Sequence, residues 1–355
     1  MTVLYLNLAA VSLLSLFSRY FSKPSIDNFR EVKSNKSLIF AAGIILIAVS
    51  GLRSNIGDTY VYMENFQKEN LTWGKILEEK DIGFGVLQMI LQSMTHDPQV
   101  LIFTAALITN LLIVKVLYQY SRVIEISLFV YISSGMFLVS MNGLRQFLAA
   151  SIIFAATTFL IRRKWLLYFL TILLASTIHQ SAFILLPIYF LVNRKAWTKE
   201  TFILLMLAAL AVIGYGQFSS LLFSAIEDTQ YAGYETFSEG GASYLRVIVN
   251  AAPVILAYFG RDKLRRVFPN CDIIVNMSIL GLVFMIISTQ NWIFARFSIY
   301  FGLYNLILIS WIVKVFRPKD EKLIYYAIVI CYSVYFYYEH VITLNMIYKS
   351  NFFSL

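Results

Sequence analysis

Four short polar groups interrupt an otherwise apolar chain, and each carries a residue able to do chemistry. They are Arg53-Ser-Asn-Ile-Gly-Asp58-Thr59, Asn142-Gly-Leu-Arg145-Gln146, His179-Gln180-Ser181 and Arg296-Phe-Ser-Ile-Tyr300. An arginine presents a planar fork that binds phosphate oxygens in pairs and stays charged. An imidazole such as that of His179 can take the proton of an attacking hydroxyl. Asp58 can orient a phosphate or bind a sugar hydroxyl. All four groups sit at or near ends of long hydrophobic stretches. Traced through a membrane, they gather on the face opposite the Lys/Arg-rich loops, where an anionic ligand would explain them.

Each residue also has a plainer explanation. Arg145 can snorkel to a membrane interface, although Asn142 and Gln146 beside it favour a function. Arg53 can pair with Asp58 and fix the entry of a loop. Arg296, set among apolar residues with Tyr300 one turn later, can tie one helix to another; exposure of it to lipid would be costly, so its face belongs in a cavity or bundle interior. Arg246, near the start of a later apolar run, poses the same question. His179 can bond a carbonyl at an interface.

The elements that must position these groups follow from composition. The chain has 355 residues, of which 59% are apolar and only 14% charged, with 23 Tyr and 29 Phe. Its mean hydropathy is +0.70. A spanning helix needs roughly 20 apolar residues, and in lipid the backbone must bond within its own helix. Apolar runs fall near residues 2–18, 37–52, 98–117, 124–140, 147–161, 165–179, 181–193, 201–223, 244–260, 273–290, 291–313 and 323–338. The first reads as a retained helix rather than a signal peptide, for it has no basic start.

Basic residues set the orientation. Loops carrying Lys23 and Arg30, Lys115 and Arg122, Arg162-Arg163-Lys164, Arg194 and Lys195, Arg261 to Arg266, and Lys314 to Lys322 alternate along the chain and belong on the cytoplasmic side. That scheme closes only if 81–97 does not cross. With Gln88, Gln92 and Thr95 at helical spacing, this segment reads as an amphipathic helix in the outer interface. The expected fold is an all-α multi-pass integral membrane protein of about twelve transmembrane helices plus this interfacial helix, with both termini outside. It forms one polytopic domain over 1–355, with large outer loops at 53–97 and 224–243. The second loop mixes Tyr231, Tyr234 and Phe237 with acids and could stack on sugars.

Other chemistries find little support. The net charge of +9 lies mostly in short loops, an orientation signal rather than a nucleic-acid footprint. Cys271 and Cys331 suit neither a disulfide nor a zinc site. Glu79-Lys80-Asp81 has acid-x-acid spacing, but such matches are frequent by chance, and no metal is expected. No P-loop, GxSxG, HExxH or dinucleotide glycine pattern is present.

At these residues the chain resembles the EpsG/Wzy-type polysaccharide polymerases. The resemblance rests on Gly51-Leu52-Arg53 with Gly57-Asp58-Thr59, on Asn142-x-x-Arg145-Gln146, on His179-Gln180-Ser181 and on Arg296-x-x-x-Tyr300. It implies a bacterial inner-membrane protein of O-antigen (lipopolysaccharide) or exopolysaccharide synthesis, similar to lipid-sugar-dependent, GT-C-like glycosyltransferases and working without a cofactor. Such a polymerase moves the growing glycan from undecaprenyl pyrophosphate to the non-reducing end of a lipid-linked repeat unit at the periplasmic face. Its partners would be the undecaprenyl-pyrophosphate-linked oligosaccharide, membrane lipid and, as candidate proteins, a chain-length regulator and a flippase. Matched to those motifs, Arg53, Arg145 and Arg296 are expected to bind the diphosphate, and His179 or Asp58 to serve as base. Asn142, Gln146 and Gln180 would position substrate, Tyr300 would steady Arg296, and Arg246 is a further binding candidate. A glycan ligase or a flippase of an anionic lipid-linked sugar would use similar residues, though a flippase should spread polar groups through the membrane depth. The orientation has a direct check. A reporter fused after Lys164 should be active only in its cytoplasmic form; activity only outside the cytoplasm would overturn the topology.

Overall fold

The computed structural model describes residues 1–25, 28–69, 71–215, 224 and 240–352. Apart from one short hairpin it is helical. Helix α1 spans Thr2–Tyr20, and strands β1 (Lys23–Ser25) and β2 (Asn28–Lys33) pair antiparallel. Helix α2, Lys36–Gly51, starts where the Asn35 side chain accepts from the N–H groups of Ser37 and Leu38. Three short helices follow: α3 (Thr59–Lys68), α4 (Trp73–Glu78) and α5 (Ile82–Met94). Then come α6 (Gln99–Tyr120), α7 (Ile124–Ser133), α8 (Met136–Asn142), α9 (Leu144–Ala155), α10 (Thr157–Ile161) and α11 (Trp165–Ile178). A 3-10 turn, Gln180–Ile184, leads into α12 (Leu185–Val192) and α13 (Lys199–Ile213). The remainder is α14 (Tyr244–Phe259), α15 (Arg261–Val267), α16 (Cys271–Ile287), α17 (Ile293–Ile312) and α18 (Glu321–Phe336), which runs on into a π-helical turn, Tyr337–Thr343.

Among the described residues, each apolar run read from the sequence coincides with a helix or a broken pair of helices; positions 216–223 of the run at 201–223 lie outside them. Among the described residues, Thr2–Tyr20, Gln99–Tyr120 and Ile293–Ile312 are long and apolar enough to cross a membrane, and α7 with α8 makes a fourth span bent by 54°. The other apolar helices are shorter, so among the described residues three helices, or four spans with the bent pair, qualify by length and composition where twelve crossings were expected. The 81–97 segment forms α5, tied down by Gln92, whose side chain donates to the Phe66 and Glu69 carbonyls. Tyr231, Tyr234 and Phe237 of the 224–243 loop lie outside the described residues.

Helix α17 lies along α16, and α9 packs against α6, α11 and α17. Tyr300, Phe301 and Tyr304 of α17 are fully buried there. On the outside, Leu13, Phe40, Leu107, Leu170, Leu207 and Ile255 are exposed. So much contiguous apolar surface suits contact with lipid, not water.

Polar groups collect at the two ends of the bundle. At one end Arg19 pairs with the buried Glu125 at 2.6 Å, Arg265 with Asp272 at 3.0 Å and Lys314 with Glu321 at 2.6 Å. This end holds the basic loops, as their alternation along the sequence requires. The polar groups singled out above occupy the other end.

Arg53 organises that second end. Its side chain is buried, with Nε donating to Thr59 Oγ1 at 2.9 Å, Nη2 to the Met141 carbonyl at 2.7 Å and Nη1 to the Ser50 carbonyl. One guanidinium thus joins the end of α2, the start of α3 and the end of α8. Between them the chain turns through left-handed backbone at Ile56 and Gly57. A side chain at Gly57 would overlap Asn142, whose Oδ1 accepts from the Asp58 N–H at 3.1 Å. Replacing Arg53 by alanine strands these acceptors in the interior. Arg53→Ala should lose about 2–4 kcal/mol of stability, read as a lower melting temperature in detergent, while Arg162→Ala on the exposed basic loop stays near wild type. Equal melting of the two variants would contradict this role.

Candidate functional site

The second end of the bundle opens into a cavity of about 470 Å³. Its polar wall includes Asp58, Asn142, Gln146, Arg246 and Arg296, five positions flagged in the sequence. Four segments bring them together. The Ile56-Gly57 turn presents Asp58, the α8–α9 junction presents Asn142 and Gln146, α14 brings Arg246, and the first turn of α17 brings Arg296.

Local bonds fix these side chains. The Arg296 guanidinium stacks over the Trp292 ring, 4.9 Å from its centroid. Gln146 donates through Nε2 to the Arg296 carbonyl at 2.9 Å and approaches Ser181 Oγ at 3.4 Å. Ser181 Oγ in turn meets the Tyr300 hydroxyl at 2.8 Å. Tyr300 therefore links the 3-10 turn to α17 beside the arginine. Arg246 is held differently: its Nε lies 2.6 Å from Oε1 of the buried Glu339.

The other flagged residues lie elsewhere. Arg53 is the internal tie described above and is not on the cavity wall. Arg145 and Gln146 are consecutive on α9, so their side chains leave the axis about 100° apart. Gln146 points into the cavity, whereas Arg145 turns towards α3 and α5. There its guanidinium lies 5.7 Å from the ring centres of both Tyr62 and Phe84, and Nε donates to the Tyr62 hydroxyl at 3.3 Å.

Arg145 has a carboxylate partner that sequence reasoning missed. The buried Asp81 accepts from Arg145 Nη1 at 3.1 Å, from His179 Nδ1 at 3.2 Å and from the Gln180 N–H at 3.0 Å. A carboxylate only accepts, so the His179 proton sits on Nδ1. Helix α11 ends at His179, whose extended backbone swings the ring out to meet Asp81. In sequence Asp81 is merely the last acid of Glu79-Lys80-Asp81 ahead of an apolar run. Nothing local marks it, because its partners lie 64 and 98 residues away. Glu339 and His340 were missed too. They sit on the π-helical turn after α18, and both line the cavity. A lone histidine after a Tyr-rich apolar run, one of three in the chain, was the available signal. Among the described residues no three His, Cys, Asp or Glu side chains gather as a metal site.

The polar end thus carries two units on different faces of α9. One is a cavity with arginine, amide and carboxylate groups; the other is the Arg145–Asp81–His179 cluster, in which Asp81 and His179 are buried and Arg145 is partly exposed. If the cluster acts as a unit, removing one member already removes most of its worth. A double-mutant cycle of Arg145→Ala and Asp81→Ala should give a coupling of about 1–3 kcal/mol in unfolding free energy; additive losses would show that the pair is incidental. No curated protein and no solved structure matches the chain. The model of the EpsG family matches residues 36–352, a stretch that contains the cavity, the cluster and the C-terminal π-helical turn, so the chain belongs to the EpsG family.

Proposed function

We propose that this protein is a polysaccharide polymerase that transfers a growing glycan from undecaprenyl pyrophosphate to the non-reducing end of a lipid-linked repeat unit. The reading places the reaction at the periplasmic face of the bacterial inner membrane. Membership of the EpsG family supports a polymerase type of function. The observation that supports this reaction is the cavity, which Arg296 and Arg246 line together with Asp58, Asn142 and Gln146.

In such a transfer the bond between the anomeric carbon and the phosphate oxygen breaks, and the diphosphate leaves on its lipid. The acceptor hydroxyl forms the new bond to that carbon and gives up a proton. Arg296 would stabilise negative charge growing on the leaving oxygen, held in place by Trp292 and by the bond from Gln146 to its carbonyl. Asn142 and Gln146 would orient the diphosphate. Asp58 shares the wall with Arg296, which favours it over His179 as the proton acceptor; His179 is held by Asp81. The Arg145–Asp81–His179 cluster then supports α9 and the 3-10 turn from behind, with Gln180 anchored through its N–H. A flippase fits less well, because these polar groups stay at one end of the bundle.

Deleting the gene should collapse the host's glycan ladder to single repeat units, and wild-type protein should restore it. Arg296→Gln should cut polymerisation by about 10²–10³-fold, the usual effect of losing one transition-state donor, with normal protein levels. A full ladder from Arg296→Gln would reject the assignment. Polymer retained on its carrier in the deletion strain would indicate a ligase, and glycan that never reaches the periplasm a transporter.

A further inference from the structure

The cavity has a second pole, built by the C-terminal turn. Helix α18 runs into the π-helical turn Tyr337–Thr343, which delivers Glu339 and His340 to the wall. His340 sits against the break between α7 and α8. Gly135 there has a left-handed φ of +85°, and a Cβ added to it would lie 2.6 Å from His340 Cε1. The glycine is required both by its backbone and by the imidazole.

Around this break several buried polar atoms have no hydrogen-bond partner among the described residues. They are Nδ1 and Nε2 of His340, Oγ of Ser134 and Oδ1 of Asn305. All three residues line the cavity. Gly302, one turn before Asn305 on α17, faces Met136 of the same break. Buried polar groups are nearly always paired, so such a set around one cavity suits a polar ligand bound there.

The chemistry of these atoms identifies the ligand class. Asn305 Oδ1 only accepts, Ser134 Oγ both donates and accepts, and a neutral imidazole offers one of each. The nearest cation, Arg246, is already engaged by Glu339. An anion would face the Asn305 oxygen and the Glu339 carboxylate, whereas sugar hydroxyls can donate and accept in turn. Tyr332 and Tyr335 supply aromatic surface on the same wall. We infer that Ser134, Asn305 and His340 form a saccharide subsite that holds hydroxyls of the lipid-linked repeat unit in the same cavity as Arg296. This rests on the proposed function for the identity of the sugar, but the hydroxyl-binding chemistry stands on its own atoms.

The test uses purified full-length protein in detergent and native mass spectrometry. The probes are the lipid-linked repeat unit extracted from the deletion strain, bare undecaprenyl pyrophosphate, and the free oligosaccharide of the repeat unit. Wild type should bind the repeat-unit lipid at least about 10-fold more tightly than the bare pyrophosphate. His340→Phe keeps the ring and removes its nitrogens, and Ser134→Ala removes one hydroxyl at little risk to folding. Each should erase most of that preference, a loss of about 10-fold for His340→Phe, and leave affinity for the bare pyrophosphate unchanged. Wild-type preference in both variants would overturn the subsite. Equal binding of both lipids by wild type would overturn it too, while leaving the diphosphate reading intact. Conversely, binding of the free oligosaccharide that depends on His340, without binding of bare pyrophosphate, would support the subsite and reject the diphosphate site.

Discussion

A charge inside a lipid-facing bundle must be met by an opposite charge or by several oriented dipoles, since neither water nor lipid supplies them. That constraint shapes the polar end of this protein. Asp81 is buried and gathers Arg145, His179 and the Gln180 N–H. Glu339 is buried and holds Arg246. Arg53 solves the problem without a carboxylate, through two main-chain carbonyls and Thr59. Each solution ties elements distant in the chain, so the same interactions that neutralise the charges also set the positions of α8, α9, α14 and the C-terminal turn.

The cavity follows from how those elements meet. The glycine break between α7 and α8 prevents a continuous helix from filling the space, and broken helices in membranes are tolerated where they line a polar cavity. Arg296, packed on Trp292, gives that space one cationic side. The C-terminal turn, the α7–α8 break and α17 add His340, Ser134 and Asn305, whose polar atoms have no hydrogen-bond partner among the described residues. The proposed donor carries a diphosphate for the arginine and hydroxyls for the uncharged polar atoms, whereas a free phosphate or a neutral lipid would use only one of these sets.

Much of this was legible in the sequence. Long apolar runs leave the backbone little choice but helix, so among the described residues the runs reappear as helices or broken pairs, and alternation of basic loops predicted which helix ends share a side. The same reasoning brought Asp58, Asn142, Gln146, Arg246 and Arg296 to one wall, because residues at the same end of a bundle have few places to go. It could not resolve rotation about each helix axis. Arg145 and Gln146 are neighbours in sequence and meet different surroundings, and that is decided by packing of α9 against α6, α11 and α17. Asp81 and Glu339 were illegible for a related reason: an acid beside an apolar run is the same letter whether it faces water or a buried arginine. The number of crossings also exceeds what sequence can give, since several apolar helices are too short to span alone and their depth depends on neighbours.

The central claim is that the lipid-linked substrate occupies the cavity between Arg296 and the C-terminal turn. Its most direct test is photo-crosslinking in living cells, with a photoreactive residue placed at Val139 on the cavity wall or, as the control, at Tyr62 beside Arg145. The account predicts that the Val139 position captures a species with the mass of the lipid-linked glycan and that the Tyr62 position does not. Capture at Tyr62 with none at Val139 would move the site to the Arg145–Asp81–His179 side of α9 and contradict the account.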